Sequence, residues 1–117
     1  MASYDMSASD AYMQPLSEPA LLVLLSLAEQ PRHGYSILND VEIVSSGRVR
    51  LSTGTLYGIL HRLLNRGWIE RFEEEEGSRD RLAYRLTSTG RRNLRLEVER
   101  MRQLTKLASL RTARREA

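Results

Sequence analysis

The sequence predicts a mainly α-helical fold with one small β-ribbon, and three observations support this prediction. Three segments between residues 17 and 67 place apolar side chains at helical spacing, with turn-forming residues between them. Residues 68–76 and 82–86 have the composition of two short strands joined by a turn at Gly77 and Ser78. A last helical segment, from residue 88 onward, carries a narrow apolar stripe. Together these elements predict a winged helix-turn-helix followed by a long C-terminal dimerisation helix.

The composition is typical of a small cytoplasmic protein. The 117 residues are 41% hydrophobic, enough for one core, and contain no cysteine, which excludes disulfides and thiolate metal sites. Asp5 and Asp10 stand where a signal peptide needs positive charge, and the longest apolar run, residues 20–25, is too short to cross a bilayer. We therefore expect a cytoplasmic location and no membrane partner.

The first helix is predicted to run from a cap at Ser17 to about Glu29, after a flexible N-terminal arm, residues 1–16, that shows no periodicity. Residues 20–28 are apolar on nearly every side of this helix. Such a helix needs cover from a second surface in addition to its own core. We assign Leu21 and Leu24 to that second surface, which we expect to be a dimer interface.

The second helix is expected from His33 to about Ser45. Its predicted buried stripe is Tyr35, Leu38, Val41 and Val44, and its predicted solvent-facing residues are Asn39, Asp40 and Glu42. His33 has no second histidine or carboxylate at metal-ligand spacing, which favours a backbone hydrogen bond over a metal site. The alternating residues 48–51 predict one small extra strand before the third helix.

Residues 51–68 form the segment around which the chain is organised. Ser52 is a good N-cap, and Gly67 stands where a left-handed C-terminal residue is needed. The inward apolar stripe is Leu56, Ile59, Leu60, Leu63 and Leu64, and the outer face carries Gly54, Gly58, His61 and Asn65, flanked by Thr55, Tyr57 and Arg62.

This outer face is unusual for a helix that merely meets water. Glu and Lys normally cover such a face, whereas here two glycines permit a close approach and the polar side chains suit phosphates and base edges. We interpret the segment as a DNA-recognition helix. The alternative is an ordinary surface helix of weak helical propensity.

The charge distribution limits where DNA can be held. Residues 85–117 contain ten basic and three acidic side chains, whereas residues 1–84 contain eight basic and twelve acidic ones. The net charge of +3 therefore resides in the C-terminal segment. A site around the third helix must rely on a local patch of arginines for phosphate contacts. That patch is Arg48, Arg50, Arg62 and Arg66.

The final helix, within the C-terminal segment 88–117, is predicted to begin at a cap on Thr87 or Ser88. Its apolar seam is Leu94, Val98, Met101, Leu104 and Ala108, widened by Leu107 and Leu110. The seam and the over-apolar first helix both need a partner, so we expect a two-fold homodimer built from them. The Arg-rich residues 111–115 are expected to form a frayed, solvated tail, with a DNA contact as the alternative.

The sequence offers no catalytic or metal-binding constellation. It contains two histidines far apart, no cysteine and no glycine-rich phosphate loop. An enzyme needs a nucleophile with its base, a pair of catalytic carboxylates or a set of metal ligands, and the sequence shows none of these. We expect no enzymatic activity, no metal and no cofactor.

Several short motifs together resemble the PadR family of bacterial transcriptional regulators. In the family's order and spacing they are Leu25–Ala28 leading to His33–Tyr35, Leu51–Tyr57, Leu60–Leu63 with Gly67–Glu70, and Tyr84–Thr87 with Gly90. The resemblance covers about residues 17–95 around a winged-helix domain of residues 17–87. The single final helix resembles the family's short subfamily.

The resemblance implies a homodimeric repressor that binds a palindromic operator in double-stranded DNA and releases it when a small-molecule inducer binds. By the same match, the DNA contacts would come from Ser52, Thr53, Thr55, Tyr57 and Arg62, with the wing contributing Arg79 and Arg81. Thr53 stands where the family often has proline. Acidic residues 73–76 at the base of the wing would be repelled by phosphate, and the final helix lacks the aromatic side chains of an aromatic-stacking drug site.

Two other classes of function remain open at the level of sequence. A winged helix can dock another protein, and acidic residues 73–76 would suit a basic partner. A ligand sensor that has lost specific DNA binding is the other possibility. A docking surface is expected to expose apolar anchors, and the outer face of the third helix carries glycines and polar residues instead.

Overall fold

The computed structural model describes residues 16–73 and 82–116, with side chains described as far as residue 113. In chain order the elements are α1 (Glu18–Glu29), β1 (Arg32–His33), α2 (Gly34–Val44), α3 (Thr53–Asn65), β2 (Ile69–Glu73), β3 (Leu82–Leu86) and α4 (Ser88–Glu116). This mainly helical chain with a small antiparallel sheet confirms the predicted fold class. Residues 1–15 of the predicted arm and the turn at Gly77 and Ser78 lie outside the described residues. Within the described ranges, no helix is both long and apolar enough to cross a membrane.

The core forms where α1, α2 and α3 meet the sheet and the start of α4. Ser17 caps α1 as predicted, since its hydroxyl accepts a hydrogen bond from the backbone N–H of Ala20 at 3.3 Å. The core residues are Ala20, Val23, Leu24, Leu27, Ile37, Val41, Leu56, Ile59, Leu60, Leu63, Trp68, Ile69, Tyr84, Leu86 and Leu94. Because the three helices, the sheet and α4 all contribute to this cluster, they hold one another in place.

The buried stripe of α2 differs from the prediction. Tyr35 and Val44 are exposed, by 75% and 56%, and the buried residues are Gly34, Ile37 and Val41. The first position of this buried stripe is occupied by a glycine against which Tyr57 packs. A Cβ atom on Gly34 would lie 2.5 Å from the hydroxyl oxygen of Tyr57.

The guanidinium of Arg32 explains a second difference in α2. This side chain is largely buried and donates to the backbone oxygen of Ser26 at 3.0 Å and to the carboxylate of Glu29 at 2.7 Å. Asp40 was expected to face water, but it lies 3.7 Å from the same guanidinium and is mostly covered. Arg32 therefore ties the end of α1 to the middle of α2.

The sheet has the order β1-β3-β2, and both pairings are antiparallel. Its third strand is β1, where Arg32 pairs with Tyr84, and the prediction of a strand at residues 48–51 is wrong. In that segment the backbone N–H of Val49 donates to the hydroxyl of Ser45 at 2.9 Å. This segment is thus held by local hydrogen bonds and forms no strand, and residues 32–33 pair with the edge of β3.

The end of α3 is joined rigidly to the start of α4. Gly67 adopts the left-handed φ of +76° predicted for it, and the Trp68 N–H returns to the Leu63 carbonyl at 3.0 Å. The Thr87 hydroxyl donates to the Gly67 carbonyl at 2.6 Å and accepts from the Gly90 N–H at 3.0 Å, which makes Thr87 the cap of α4. A Cβ on Gly90 would lie 1.9 Å from the Trp68 carbonyl oxygen. Hydrogen bonds and close backbone packing therefore link the start of α4 to the end of α3.

The predicted dimer residues fall into two groups. Leu24 and Leu94 are 0% and 6% exposed within the single chain, so they are core residues and offer no surface to a second copy. Leu21, Val98 and Met101 are half-buried, and Leu104 and Ala108 are exposed. The backbone of α4 remains helical to Glu116, which differs from the expected frayed tail. The outer half of α4 thus extends beyond the core with its apolar residues uncovered in the single chain.

Candidate nucleic-acid interface

The position of α3 is fixed by its cap and by its buried stripe. As the apolar spacing predicted, four residues of the stripe are at most 3% exposed: Leu56, Ile59, Leu60 and Leu63. The Ser52 hydroxyl accepts from the Thr55 N–H at 3.1 Å and donates to the Thr55 hydroxyl oxygen at 3.0 Å. Thr55 keeps its own hydroxyl proton for a further partner. The first turn therefore presents an ordered hydroxyl pair to the outside.

The two glycines on the outer face of α3 are not required by the rest of the described chain. A Cβ on Gly54 would meet no atom within 4 Å, and one on Gly58 would meet only the Arg62 Nη1, at 4.0 Å. Both residues also have backbone φ values compatible with alanine. Glycine in a helix lowers its stability relative to alanine without providing any contact here. The clearance that they create is directed outward, toward whatever approaches this face.

Tyr57 has a structural role besides the DNA contact predicted for it. Its ring is about half exposed, but its hydroxyl lies against Gly34 at the start of α2. Burial raises the pKa of the nearby Tyr84, the charge of Tyr57 contributes to this rise, and Arg71 partly opposes it. Tyr57 therefore connects the outer face of α3 to the start of α2.

In the predicted arginine patch, Arg48, Arg50 and Arg62 are exposed and Arg66 is partly buried, and the four side chains have different surroundings. Arg48 forms an ion pair with Glu18 at 2.6 Å, and Arg50 forms one with Glu42 at 3.2 Å. The hydrogen bond from Arg48 lowers the pKa of the Glu18 carboxyl below its usual value. Arg62 projects from the outer face of α3 into solvent.

Of the remaining predicted basic residues, the structure describes Arg66, which follows the last residue of α3. The Arg66 guanidinium lies 5.8 Å from the centre of the Trp68 ring, in the range of a cation–π contact. Arg79 and Arg81 of the predicted wing lie outside the described residues. Ser52 and Thr53 are exposed at the start of α3. Arg48 and Arg50 therefore lie on the linker between α2 and α3, and the exposed Ser52 and Thr53 follow directly at the start of α3.

Sequence reasoning missed the acidic partners of these arginines. Glu18 belongs to α1 and Glu42 to α2, so their sequence distance from Arg48 and Arg50 gives no signal of the pairing. It also missed Arg85, whose guanidinium lies 4.4 Å from the Phe72 ring centre and 2.8 Å from Glu70. These pairs reduce the positive field that the sequence count of arginines suggested.

His33 behaves as the sequence indicated. Its Nδ1 lies 3.3 Å from the backbone oxygen of Leu82, across the β1–β3 pairing. In the described part of the chain, no three carboxylate or imidazole groups lie close enough together to hold a metal ion.

The family model for PadR-like transcriptional regulators matches residues 23–96, from α1 to the first turns of α4. The chain belongs to this family. The match includes the whole of α3, the sheet and the junction at Thr87. It confirms the family suggested by the short motifs, and with it the prediction of a transcriptional regulator rather than an enzyme.

Solved structures with the same fold include members of the PadR family. A transcriptional regulator from Clostridium thermocellum superposes with a TM-score of 0.68, covering 93% of this chain and 96% of its own, at 23% identity. Bacillus subtilis PadR, solved in complex with operator DNA, gives a TM-score of 0.57 over 65% of this chain and 44% of its own, at 21% identity. At these identities the likeness establishes a shared fold.

One curated relative is more similar in sequence but much longer. It is an uncharacterised 37.1 kDa protein from a Streptomyces fradiae transposon, 37% identical over 89 residues. The aligned part is 76% of this chain and 24% of the relative. The chain thus spans about a quarter of that relative's length.

Proposed function

We propose that this PadR-like chain is a homodimeric repressor that binds a palindromic operator in double-stranded DNA through α3. The observation that carries the proposal is the outer face of α3, where two glycines leave open space and polar side chains surround it. A face that only meets water has no use for that clearance. A DNA groove does, because base edges and phosphates must come close to the helix backbone.

In the proposed complex, α3 enters the major groove with its first turn foremost. Thr53, Thr55 and Arg62 would meet base edges or phosphates, since all three are exposed on α3. Arg48, Arg50 and Arg66 would bind phosphates and supply the salt-dependent part of the affinity. The presence of operator DNA on Bacillus subtilis PadR supports the same use of this fold here.

The proposed dimer uses the uncovered outer half of α4 together with α1. Leu104, Leu107 and Leu110 are each about half exposed on α4, and the exposed Leu25 lies on α1. A single chain leaves these apolar side chains in water, and a second copy related by a two-fold axis would cover them. The two α3 helices would then meet successive major grooves, one or two helical turns apart, about 34 Å per turn.

An inducer, as a further part of this proposal, would bind in the groove between α1 and α4. The groove has a volume of about 480 Å³, and its lining includes the apolar Leu25 and Val98 and the basic Arg95 and Arg102. A ligand there releases DNA only if it prefers one dimer geometry over another. Ligands that bind the dimer and leave operator affinity unchanged would contradict this mechanism. The repressor would act in the cytoplasm, as the sequence predicts.

The experiment that tests the proposal is selection of bound sequences from a random duplex DNA pool with the purified protein. Moderate salt keeps bulk charge from dominating the selection. Enrichment of an inverted repeat is the expected result. If no sequence is enriched while the protein is folded and dimeric, the chain is a docking or sensing module instead.

A further inference from the structure

Two arginines that lead into α3 are already bound to carboxylates of the same chain. The Arg48 Nη2 lies 2.6 Å from Glu18, and the Arg50 Nε lies 3.2 Å from Glu42. Arg62, on the outer face of α3, forms no ion pair with any residue in the described ranges. The two linker arginines therefore differ from Arg62 in having a built-in anionic partner.

The two carboxylates come from separate elements that converge on the linker. Glu18 is the first residue of α1, and Glu42 lies on α2. All four side chains of the two pairs remain about half exposed or more. Exposed ion pairs contribute little stability, so they can exchange partners at low cost.

A carboxylate and a phosphate compete for the same guanidinium donors. Both present anionic oxygens to N–H groups, and both are bound by arginine in the same forked geometry. A DNA phosphate that approaches Arg48 must displace Glu18 or share the guanidinium with it. In the shared arrangement, the carboxylate and the phosphate repel each other.

We propose that Glu18 and Glu42 are internal competitors of the DNA backbone for Arg48 and Arg50, and that they set the strength of phosphate binding. This inference rests on the proposed function, because it needs those arginines to meet DNA. The consequence is weaker binding to every DNA sequence, so the contacts of α3 supply a larger share of the total affinity. Glu18 and Glu42 thereby set the affinity for DNA through the two arginines, although neither glutamate binds DNA itself.

The test uses the full chain and the isosteric substitutions Glu18→Gln and Glu42→Gln. Fluorescence anisotropy titrations on an enriched operator and on a random duplex, over a range of salt, measure affinity and its salt dependence. Each variant should bind both DNAs about two- to fivefold more tightly, the range expected from the strength of exposed ion pairs. The slope of log affinity against log salt should become steeper by up to about one unit. Thermal unfolding of each variant checks that the fold is retained.

A double-mutant cycle separates competition from a general change of charge. The DNA affinities of four proteins are compared: wild type, Glu18→Gln, Arg48→Ala and the double variant. If Glu18 acts through Arg48, its tightening effect disappears when Arg48 is absent. If the tightening persists in the Arg48→Ala background, the carboxylate acts only through the overall field, and the inference is wrong.

The outcomes distinguish this inference from the proposed function. Wild-type protein that binds no DNA at any salt overturns both. Salt-dependent wild-type binding with unchanged affinity in both glutamine variants overturns the inference and leaves the DNA-binding proposal intact. The inference is also overturned if Arg48→Ala and Arg50→Ala leave affinity unchanged, because the carboxylates then have nothing to compete for.

Discussion

Replacing Gly58 with alanine separates the stability of α3 from its function. Within the described chain, the added methyl would meet only the Arg62 Nη1, at 4.0 Å, which is ordinary van der Waals contact. Glycine in a helix interior lowers stability by about 0.5–1 kcal/mol relative to alanine. Gly58→Ala should therefore raise the free energy of unfolding by that amount. For a domain of this size, the midpoint of thermal unfolding should rise by roughly 2–6 °C.

The same methyl should weaken DNA binding if α3 lies in a groove. It occupies the clearance between the helix and the base edges, so α3 must move outward and its hydrogen bonds to DNA lengthen. One good bidentate contact to a base is worth about 1–3 kcal/mol of discrimination. A loss of one such contact corresponds to a roughly 5- to 150-fold weaker affinity for an enriched operator.

The assay combines thermal unfolding with anisotropy titration on the operator. Ser109→Ala is a matched control, because Ser109 is exposed on α4 and alanine is also the better helix former there. That control should gain stability and keep wild-type operator affinity. If Gly58→Ala is more stable and binds the operator within twofold of wild type, the glycine clearance does not serve DNA, and the reasoning from the outer face fails.

Three further predictions concern Arg62, the α4 seam and the cap of α4. If Arg62 binds phosphate, Arg62→Ala should make the slope of log affinity against log salt shallower by about 0.9. If Arg62 contacts a base, a repeated selection should show weaker base preference at one operator position. If neither changes, Arg62 is not part of the interface. Met101→Asp should give the mass of a monomer in solution, near 13.4 kDa, because a carboxylate on the α4 seam opposes pairing of the two chains. A mass that remains that of a dimer would show that the seam does not form the dimer interface. Thr87→Val should lower the free energy of unfolding by about 1–2 kcal/mol, because the hydrogen bonds of the hydroxyl to Gly67 and Gly90 are lost. Thr87→Ser keeps the hydroxyl, so its free energy of unfolding should stay within about 0.5 kcal/mol of wild type.

Local signals predicted the helices well. The caps at Ser17 and Ser52, the left-handed Gly67 and the inward leucines of α3 depend on residues a few positions apart. Such features are encoded in short stretches of sequence, so periodicity and capping rules recover them. The exposure of the outer face of α3 followed from the same reasoning, since it is the side opposite the buried stripe.

Long-range contacts accounted for the errors. The third strand lies at residues 32–33, which pair with β3 far along the chain. A strand of two residues is too short to show an alternation of apolar and polar residues. The aromatic ring of Tyr35 predicts burial, but Tyr35 is exposed and the buried stripe starts one residue earlier, at Gly34, where Tyr57 of α3 packs. Leu24 was assigned to the dimer because α1 is apolar all round, yet the chain's own core covers it completely.

The central claim is that α3 recognises base sequence. The most direct measurement is to repeat the random-pool selection with Thr55→Val, which removes an exposed hydroxyl while keeping a β-branched side chain and the Ser52 cap to the backbone. Recognition through α3 predicts a changed base preference at symmetry-related positions of both half-sites, with the half-site spacing retained. An unchanged consensus bound with unchanged affinity would contradict recognition by this turn of α3.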